Sequence, residues 1–260
     1  MSTAPEAAAM VLHERRGGVL TLTINRPAQK NAVDHEVAVQ LAEALDLLDA
    51  DPELSVGVLT GAGGVFSAGM DLKAFTKGEL PVLPGRGFGG LTRAVVRKPL
   101  IAAVEGWALG GGFEMVLACD LIVAAEDARF GLPEITRGLV AAEGGLVRLP
   151  RRLPYHVAAR VMLTGEPLTA AEAKQYGLVN ELTPPGSALA VARELAGHVA
   201  RNAPLALAAV KEVLRETQGL NESDAFTRQD ELTSGLATSE DAREGARAFA
   251  EKRAPVWHGR

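Results

Sequence analysis

The chain contains 260 residues, of which 47% are hydrophobic and 23% charged, a composition that suits one large globular domain and excludes disordered and collagen-like chains. Its net charge of −5 disfavours nucleic-acid binding, because proteins that bind nucleic acids usually carry a basic field. One cysteine, Cys119, and five scattered histidines supply neither a disulfide nor a zinc cluster, so we expect a cytoplasmic protein without a metal centre.

The start of the chain and its apolar runs predict no targeting or membrane segment. Met1 to Ala9 contains no basic region followed by an apolar core, so no signal peptide is expected. No apolar run reaches the length that spans a bilayer. Neither a membrane nor a nucleic acid is therefore expected as a partner.

Short β-prone runs alternate with helical patterns along the first part of the chain. Val19–Ile24 reads VLTLTI and is stopped by Asn25-Arg26-Pro27. Apolar positions at helical spacing predict a helix over Val37–Leu48. Further buried strands are predicted at Val56–Thr60, Leu100–Val104 and Leu121–Ala124. This alternation predicts an α/β architecture.

The segment Lys77–Gly90 differs from its surroundings, since it contains two prolines and five glycines among scattered apolar residues. We predict a mobile loop there. It is either a solvated connection or a lid over an apolar substrate tail, because long loops in compact domains are often functional.

Helical patterns dominate the chain after about Ala170. Helices are predicted over Thr169–Tyr176, Ser187–Ala200, Pro204–Thr217, Ser223–Leu236 and Ser239–Arg253. Ser223 and Ser239 are candidate N-caps, since acidic residues follow each of them in the next turn. The apolar faces of these helices must pack against another surface.

Two glycine turns carry the first chemical signal. One is Phe66-Ser67-Ala68-Gly69-Met70-Asp71-Leu72, and the other is Ala108-Leu109-Gly110-Gly111-Gly112-Phe113-Glu114. Glycines before a helix bring backbone N–H groups close to a ligand. Either turn alone fits a simple connection, and neither matches a phosphate-binding or dinucleotide-binding motif. On neighbouring layers, however, the two turns can aim two N–H groups at one oxygen as an oxyanion hole.

Two glutamates carry the second signal. Glu114 falls in the first turn of a predicted helix, and Glu134 lies in the apolar segment Phe130–Ile135. A lone glutamate most often lies on the surface. Two that face each other in an apolar pocket do not ionise together, so one is a general acid and the other a base. The spacing in the sequence leaves their proximity open.

Together these segments resemble the enoyl-CoA hydratase/isomerase, or crotonase, superfamily over nearly the whole chain. The resemblance extends from Asn25-Arg26-Pro27 through both glycine turns and Pro133-Glu134 to Phe249–Lys252. It implies an α/β fold, a crotonase-type spiral of ββα units over 1–200 with a C-terminal helical region over 201–260. It also implies assembly into a homotrimer or homohexamer.

The resemblance also implies roles for individual residues. Glu114 and Glu134 correspond to the catalytic carboxylates, and the backbone N–H groups of Met70 and Gly111 correspond to the oxyanion hole. Contacts to substrate and coenzyme A are implied for Pro27, Ala28, Lys30, Ala68, Asp71, Leu72, Lys73 and Gly110 and, in some members from a neighbouring subunit, for Phe249 and Lys252. No metal or separate cofactor is implied, because coenzyme A is part of the acyl-CoA substrate.

The implied reaction is reversible addition of water to a 2-enoyl-CoA, giving a 3-hydroxyacyl-CoA. Two glutamates favour hydration, because many isomerases of the superfamily retain one carboxylate. Three alternatives stay open: a double-bond isomerase, a crotonobetainyl-CoA hydratase or carnitinyl-CoA dehydratase, and a non-catalytic acyl-CoA-binding member.

One stretch departs from the pattern that the resemblance implies. Many hydratases carry a Pro-Gly-Ala-Gly-Gly-like run where this chain reads Ala141-Ala142-Glu143-Gly144-Gly145. Glu143 either points outward or caps the next helix, or it alters substrate choice or acts as a third acid–base group. The sequence leaves these interpretations open.

Overall fold

The structure, a computed structural model, describes residues 9–260. The signal-peptide expectation for Met1–Ala9 therefore falls mostly on residues 1–8, which lie outside the described residues. Across residues 9–260, none of the helices combines the length and the apolar character needed to cross a bilayer.

Eleven strands occur in the described part of the chain. They are β1 Val11–Arg16, β2 Val19–Ile24, β3 Val56–Gly61, β4 Val82–Leu83, β5 Gly87–Phe88, β6 Leu100–Val104, β7 Trp107–Leu109, β8 Leu121–Ala125, β9 Arg129–Gly131, β10 Leu168–Thr169 and β11 Glu181–Thr183. The predicted strands at β2, β3, β6 and β8 are confirmed. The sequence prediction missed the shorter strands and β1.

Ten α-helices occur in the same range. They are α1 His35–Ala50, α2 Leu72–Phe75, α3 Gly111–Ala118, α4 Gly145–Arg152, α5 Tyr155–Thr164, α6 Ala170–Gln175, α7 Ala188–Ala200, α8 Pro204–Glu216, α9 Glu222–Thr233 and α10 Glu240–Glu251. Short 3-10 helices add single turns, of which Pro133–Arg137 matters most for the site.

The main sheet has six strands in the order β1-β2-β3-β6-β8-β11. β1 is antiparallel to β2, and the remaining neighbours are parallel. A second sheet, ordered β10-β9-β7, lies beside it, and β4 and β5 form a small hairpin. A mostly parallel sheet of this kind confirms the predicted α/β class.

The inner strands β2, β3, β6 and β8 are buried on both faces, which explains their continuous apolar character, whereas the edge strand β1 is mostly exposed. Alternate strand residues, such as Val56 and Val58, pack against Ala188, Ala192 and Ala196 of α7. The alanines let α7 approach the sheet closely. The opposite face packs against α1 and α3 in a larger core, which contains Leu20, Leu22, Leu41, Leu59 and Phe113.

The predicted tail helices are confirmed as α6 to α10, with one correction. Ser239 caps α10 as expected, because its side chain accepts the Ala242 N–H. The Ser223 cap is wrong: α9 begins at Glu222, and the Asn221 side chain accepts the Asp224 N–H. Asn221 is an equally good cap that lies two residues earlier. The boundary after residue 200 stays a prediction.

The prediction that Lys77–Gly90 is a mobile loop is also wrong in part, because it contains regular structure. Val82 pairs with Phe88 and Leu83 with Gly87, so the segment closes into the β4–β5 hairpin. Arg86 fixes it to α1 through Asp46, at 2.7 Å. The hairpin is too short for its strands to show a period in the sequence.

Candidate active site

The two glycine turns lie side by side. Ser67 and Ala108 form a parallel bridge, in which Ser67 N donates to Trp107 O and Leu109 N donates to Ser67 O, both at 3.0 Å. Gly69 has φ +89°, and a Cβ there would lie 2.6 Å from Leu109 O and 3.2 Å from Gly111 N. The close approach of the two turns therefore requires glycine at position 69.

Two backbone N–H groups at this junction are available to a ligand. Gly111 is the first residue of α3, and the first N–H groups of a helix have no acceptor within it. Met70 immediately precedes Asp71, the N-cap of α2. Within residues 9–260, neither the Met70 N–H nor the Gly111 N–H donates to a protein acceptor. Both residues line the same cavity.

Glu114 lies in the first turn of α3 and is 3% exposed. Its Oε1 accepts the N–H groups of Glu143 and Gly145, both at 2.8 Å. The pKa of Glu114 is raised to about 7, chiefly by burial and also by the nearby charge of Glu134, against the lowering effect of the two N–H donors. Glu114 therefore exchanges its proton close to neutral pH.

Glu134 is part of the 3-10 helix Pro133–Arg137, which follows β9. Its Oε2 is buried and has no hydrogen-bond partner among the described residues. Burial raises the pKa of this carboxyl above its ordinary value. An orphaned buried oxygen is rare in folded proteins and calls for a partner such as a ligand. Glu134 is thus not the surface glutamate that its type alone suggests.

Both glutamates and both N–H donors border one cavity of about 290 Å³. Its wall is largely apolar and comes from α2, the β4–β5 hairpin and the segment that follows Glu134. The apolar lining residues are Leu72, Phe75, Leu80, Val82, Phe88, Leu109, Leu139 and Val140. An apolar cavity with a few convergent polar groups is the usual form of a small-molecule site.

The residues expected to contact coenzyme A divide into two groups. Ala68, Leu72 and Gly110 line the cavity. Pro27, Ala28 and Lys30 do not line it, but their segment is attached to it, because Lys30 O accepts the Ala68 N–H at 2.9 Å.

Asp71 and Lys73 also lie outside the lining of the cavity. The Asp71 carboxylate accepts the N–H groups of Lys73 and Ala74 and pairs with Arg26 at 3.1 Å. Lys73 is exposed. On α10, Phe249 is 88% exposed and Lys252 follows the last turn. The coenzyme A contacts expected for these four residues stay predictions.

Glu143 neither points outward nor caps α4. Its side chain pairs with Arg93 at 2.9 Å and accepts the Phe88 N–H at 3.1 Å. The sequence prediction missed Arg93, Phe88 and Arg26, since their partners lie far away along the chain. Phe88 could have been singled out from the sequence, because it is an aromatic residue among the glycines of the hairpin.

Comparison with known proteins gives a consistent family relationship. The family model described as enoyl-CoA hydratase/isomerase matches residues 14–260. A curated enoyl-CoA hydratase of Mycobacterium tuberculosis is 43% identical, with 98% of each chain covered. A curated carnitinyl-CoA dehydratase of Salmonella typhi is 45% identical, covering 95% of this chain and 97% of that protein.

A solved structure shows the same fold. The crystal structure of an enoyl-CoA hydratase from Mycobacterium tuberculosis matches with a TM-score of 0.95 and 52% identity. The match covers 97% of this chain and all of the solved one, 100%. The spiral crotonase fold with a C-terminal helical region is therefore confirmed.

Proposed function

The chain belongs to the enoyl-CoA hydratase/isomerase family, and from that premise we propose that it is an enoyl-CoA hydratase. The proposed reaction is reversible syn addition of water to a 2-enoyl-CoA, giving a 3-hydroxyacyl-CoA. The observation that carries this proposal is a pair of glutamates of raised pKa, Glu114 buried and Glu134 half-buried, on the cavity that the backbone N–H groups of Met70 and Gly111 border.

The N–H groups of Met70 and Gly111 would hold the thioester oxygen. Negative charge develops on that oxygen when water attacks C3, so donors fixed beforehand stabilise the transition state more than the substrate. Such a donor is typically worth about 3–4 kcal/mol. Gly111 also stands at the start of α3, where the helix dipole favours negative charge.

The glutamates would act as a coupled pair with one proton. Two N–H donors fix one oxygen of Glu114, which leaves its other oxygen to hold the attacking water and take its proton. Glu134 has a buried oxygen that no described residue contacts by a hydrogen bond, suited to placing a proton on C2. Well-placed acid–base groups contribute about 10²–10⁴-fold each.

We further propose that the reaction needs no metal or other cofactor. Addition of water leaves the overall oxidation state unchanged, so no redox group takes part. The backbone donors polarise the thioester carbonyl, and the glutamates move the protons. Coenzyme A enters as part of the substrate.

A second candidate is hydration of a crotonobetainyl-type thioester. The relative named carnitinyl-CoA dehydratase, at 45% identity, favours it. Such a substrate carries a quaternary ammonium group, which the rings of Phe75 and Phe88 on the cavity wall can contact. The exposed, cationic Arg137 on the same cavity opposes it.

One substrate panel separates these candidates. Purified protein is mixed with 2-enoyl-CoA thioesters of several lengths, crotonobetainyl-CoA and 3-enoyl-CoA, and products are identified by mass, which reports added water, and by NMR, which reports the position of the double bond. Our proposal predicts the highest kcat/KM for a simple 2-enoyl-CoA. Preference for crotonobetainyl-CoA would favour the second candidate, and conversion of 3-enoyl-CoA without added water would favour isomerase chemistry. Binding of every thioester without turnover would identify a non-catalytic member.

We also propose that the chain assembles into a homotrimer or homohexamer in the cytoplasm. Val210 and Leu214 on α8 and Phe226 on α9 are exposed apolar residues, which a neighbouring subunit would cover. Phe249 and Lys252 would then contact coenzyme A across the interface. Light scattering tests the assembly, and a monomer at micromolar concentration would contradict it.

A further inference from the structure

Glu143 joins two parts of the site. Its backbone N–H donates to Glu114 Oε1 at 2.8 Å, so the main chain of Glu143 helps hold one member of the acid–base pair. Its side chain leaves that contact and reaches the segment Gly87–Arg93, which begins with β5.

The Glu143 carboxylate makes four hydrogen bonds to that segment. Oε2 accepts Phe88 N at 3.1 Å, Arg93 Nε at 3.1 Å and Thr92 Oγ1 at 3.3 Å, and Oε1 accepts Arg93 Nη2 at 2.9 Å. The Glu143 side chain is 16% exposed and that of Arg93 is 59% exposed, so solvent partly screens the ion pair, whereas the carboxylate itself is largely enclosed. A Cβ at Gly87 would lie 2.7 Å from Oε2, so the contact also depends on glycine there.

Phe88, which Glu143 holds by its N–H, forms the cavity wall beside the oxyanion hole. Its ring is 4% exposed and lies against Gly111, where an added Cβ would come within 2.3 Å of Phe88 Cζ. A small displacement of β5 therefore changes the space next to the thioester group.

We propose that Glu143 is a positioning residue that fixes Phe88 relative to Glu114 and Gly111, and so limits which acyl groups reach the acid–base pair. This inference rests on the proposed function. It differs from a third acid–base role, because the Glu143 oxygens are engaged by Arg93 and Phe88 rather than free for the substrate.

Charges around Glu114 give this role a distinctive signature. The charged groups that face Glu114 are Glu134, Glu143 and Arg148. Arg93 neutralises Glu143. Loss of the Glu143 charge should therefore lower the pKa of Glu114, whereas loss of the Arg93 charge, which leaves Glu143 uncompensated, should raise it.

The test uses Glu143→Gln and Arg93→Gln, with Asp46→Asn as the matched control. Asp46 pairs with Arg86 on the same hairpin and does not line the cavity. We expect the pH profile of kcat/KM to move to lower pH by about half a unit in Glu143→Gln and to higher pH by a similar amount in Arg93→Gln. Asp46→Asn should keep the wild-type profile.

Specificity supplies the second readout. In both Glu143→Gln and Arg93→Gln, kcat for a four-carbon 2-enoyl-CoA should fall by about tenfold, since a small displacement of groups in an active site lowers the rate strongly. The ratio of kcat/KM for longer or branched acyl groups to the four-carbon substrate should rise. Unchanged profiles and unchanged acyl preference in both variants would overturn the proposal.

A measurement without turnover tests the positioning role of Glu143 separately from the proposed function. Hydrogen exchange of the peptide that contains residues 82–93 should be faster in Glu143→Gln than in wild type, with little change elsewhere. Equal exchange rates in Glu143→Gln and wild type would overturn the positioning role of Glu143 even if the protein hydrates 2-enoyl-CoA. Faster exchange in a protein that hydrates no 2-enoyl-CoA would instead contradict the proposed function alone.

Discussion

Two nearly buried glutamates in different parts of the molecule have opposite electrostatic environments. Glu114 in the site is 3% exposed, and Glu244 on α10 is 5% exposed. Glu114 accepts backbone N–H groups and forms no ion pair with any residue from 9 to 260, and its pKa is raised to about 7. Hydrogen bonds from Arg253 and the Val256 N–H lower the pKa of Glu244 to about 2.

The difference shows that the partners of a buried carboxylate decide its use. Arg253 contacts both oxygens of Glu244, and Asp241 accepts the N–H groups of His258 and Gly259. Those carboxylates fasten the C-terminal tail to α10. No arginine in the described chain contacts the Glu114 oxygens as Arg253 contacts those of Glu244, so the proton of Glu114 is available near neutral pH, as acid–base chemistry requires.

The largest expected effect is on catalysis. Glu114→Gln and Glu134→Gln should each lower kcat for 2-enoyl-CoA hydration by about 10²–10⁴-fold, because each removes one proton-transfer group. Initial rates and circular dichroism of the folded variants check this. Near wild-type rates in either variant would remove that glutamate from the mechanism.

For Glu244, near the C-terminus, the expected effect of substitution is on stability. Glu244→Gln should lower the melting temperature at pH 7, because it leaves Arg253 and the Val256 N–H without a charged acceptor. The depressed pKa of Glu244 gives stability that is present above pH 4.5 and lost as pH falls through about 2. Melting curves of both proteins should therefore converge in acid, and a constant difference would contradict this assignment.

The corresponding substitution in the site, Glu114→Gln, should have the opposite effect on stability. The pKa of Glu114 is raised from 4.5 to about 7, so the stability that its proton provides is present below pH 4.5 and is lost as pH rises through 7. Glu114→Gln should thus be more stable than wild type at pH 8, by roughly 1–3 kcal/mol. Urea unfolding at pH 8 and pH 4.5 tests this, and a destabilised variant at pH 8 would refute it.

The smallest expected effect is the difference in stability between variants of Arg247 and Arg253, the two cations that contact Glu244. Arg247 is 63% exposed, whereas Arg253 makes a two-point contact with Glu244. Exposed ion pairs contribute little to stability. We expect Arg247→Gln to lower the melting temperature less than Arg253→Gln does, and the reverse order would show that the two-point contact is not the main fastening.

The sequence predicted what depends on local patterns. β2 is a run of six apolar or β-branched residues, and its bounds are as predicted. Ser239 caps α10 because capping needs only the next turn. Helix α4, which contains Pro150, and helix α5 were missed, and with them the position of Arg148.

The site was predictable only in part, because its contacts are long-range. The glycine turns and both glutamates were identified, but their meeting depends on the Ser67–Ala108 bridge. Glu143 reaches Arg93 across 50 residues, and no local spacing encodes that contact. The cap that the Asp71 carboxylate forms on α2 was not predicted, and the contact of Asp71 with the substrate stays a prediction.

One measurement tests the proposed hydration most directly. The protein is incubated with a 2-enoyl-CoA in D₂O, and the product is examined by NMR and mass spectrometry. Our account predicts a 3-hydroxyacyl-CoA with one deuterium at C2, on the same face as the new hydroxyl group. A product without a hydroxyl group, with deuterium placed along a shifted double bond, would contradict hydration and identify the chain as an isomerase.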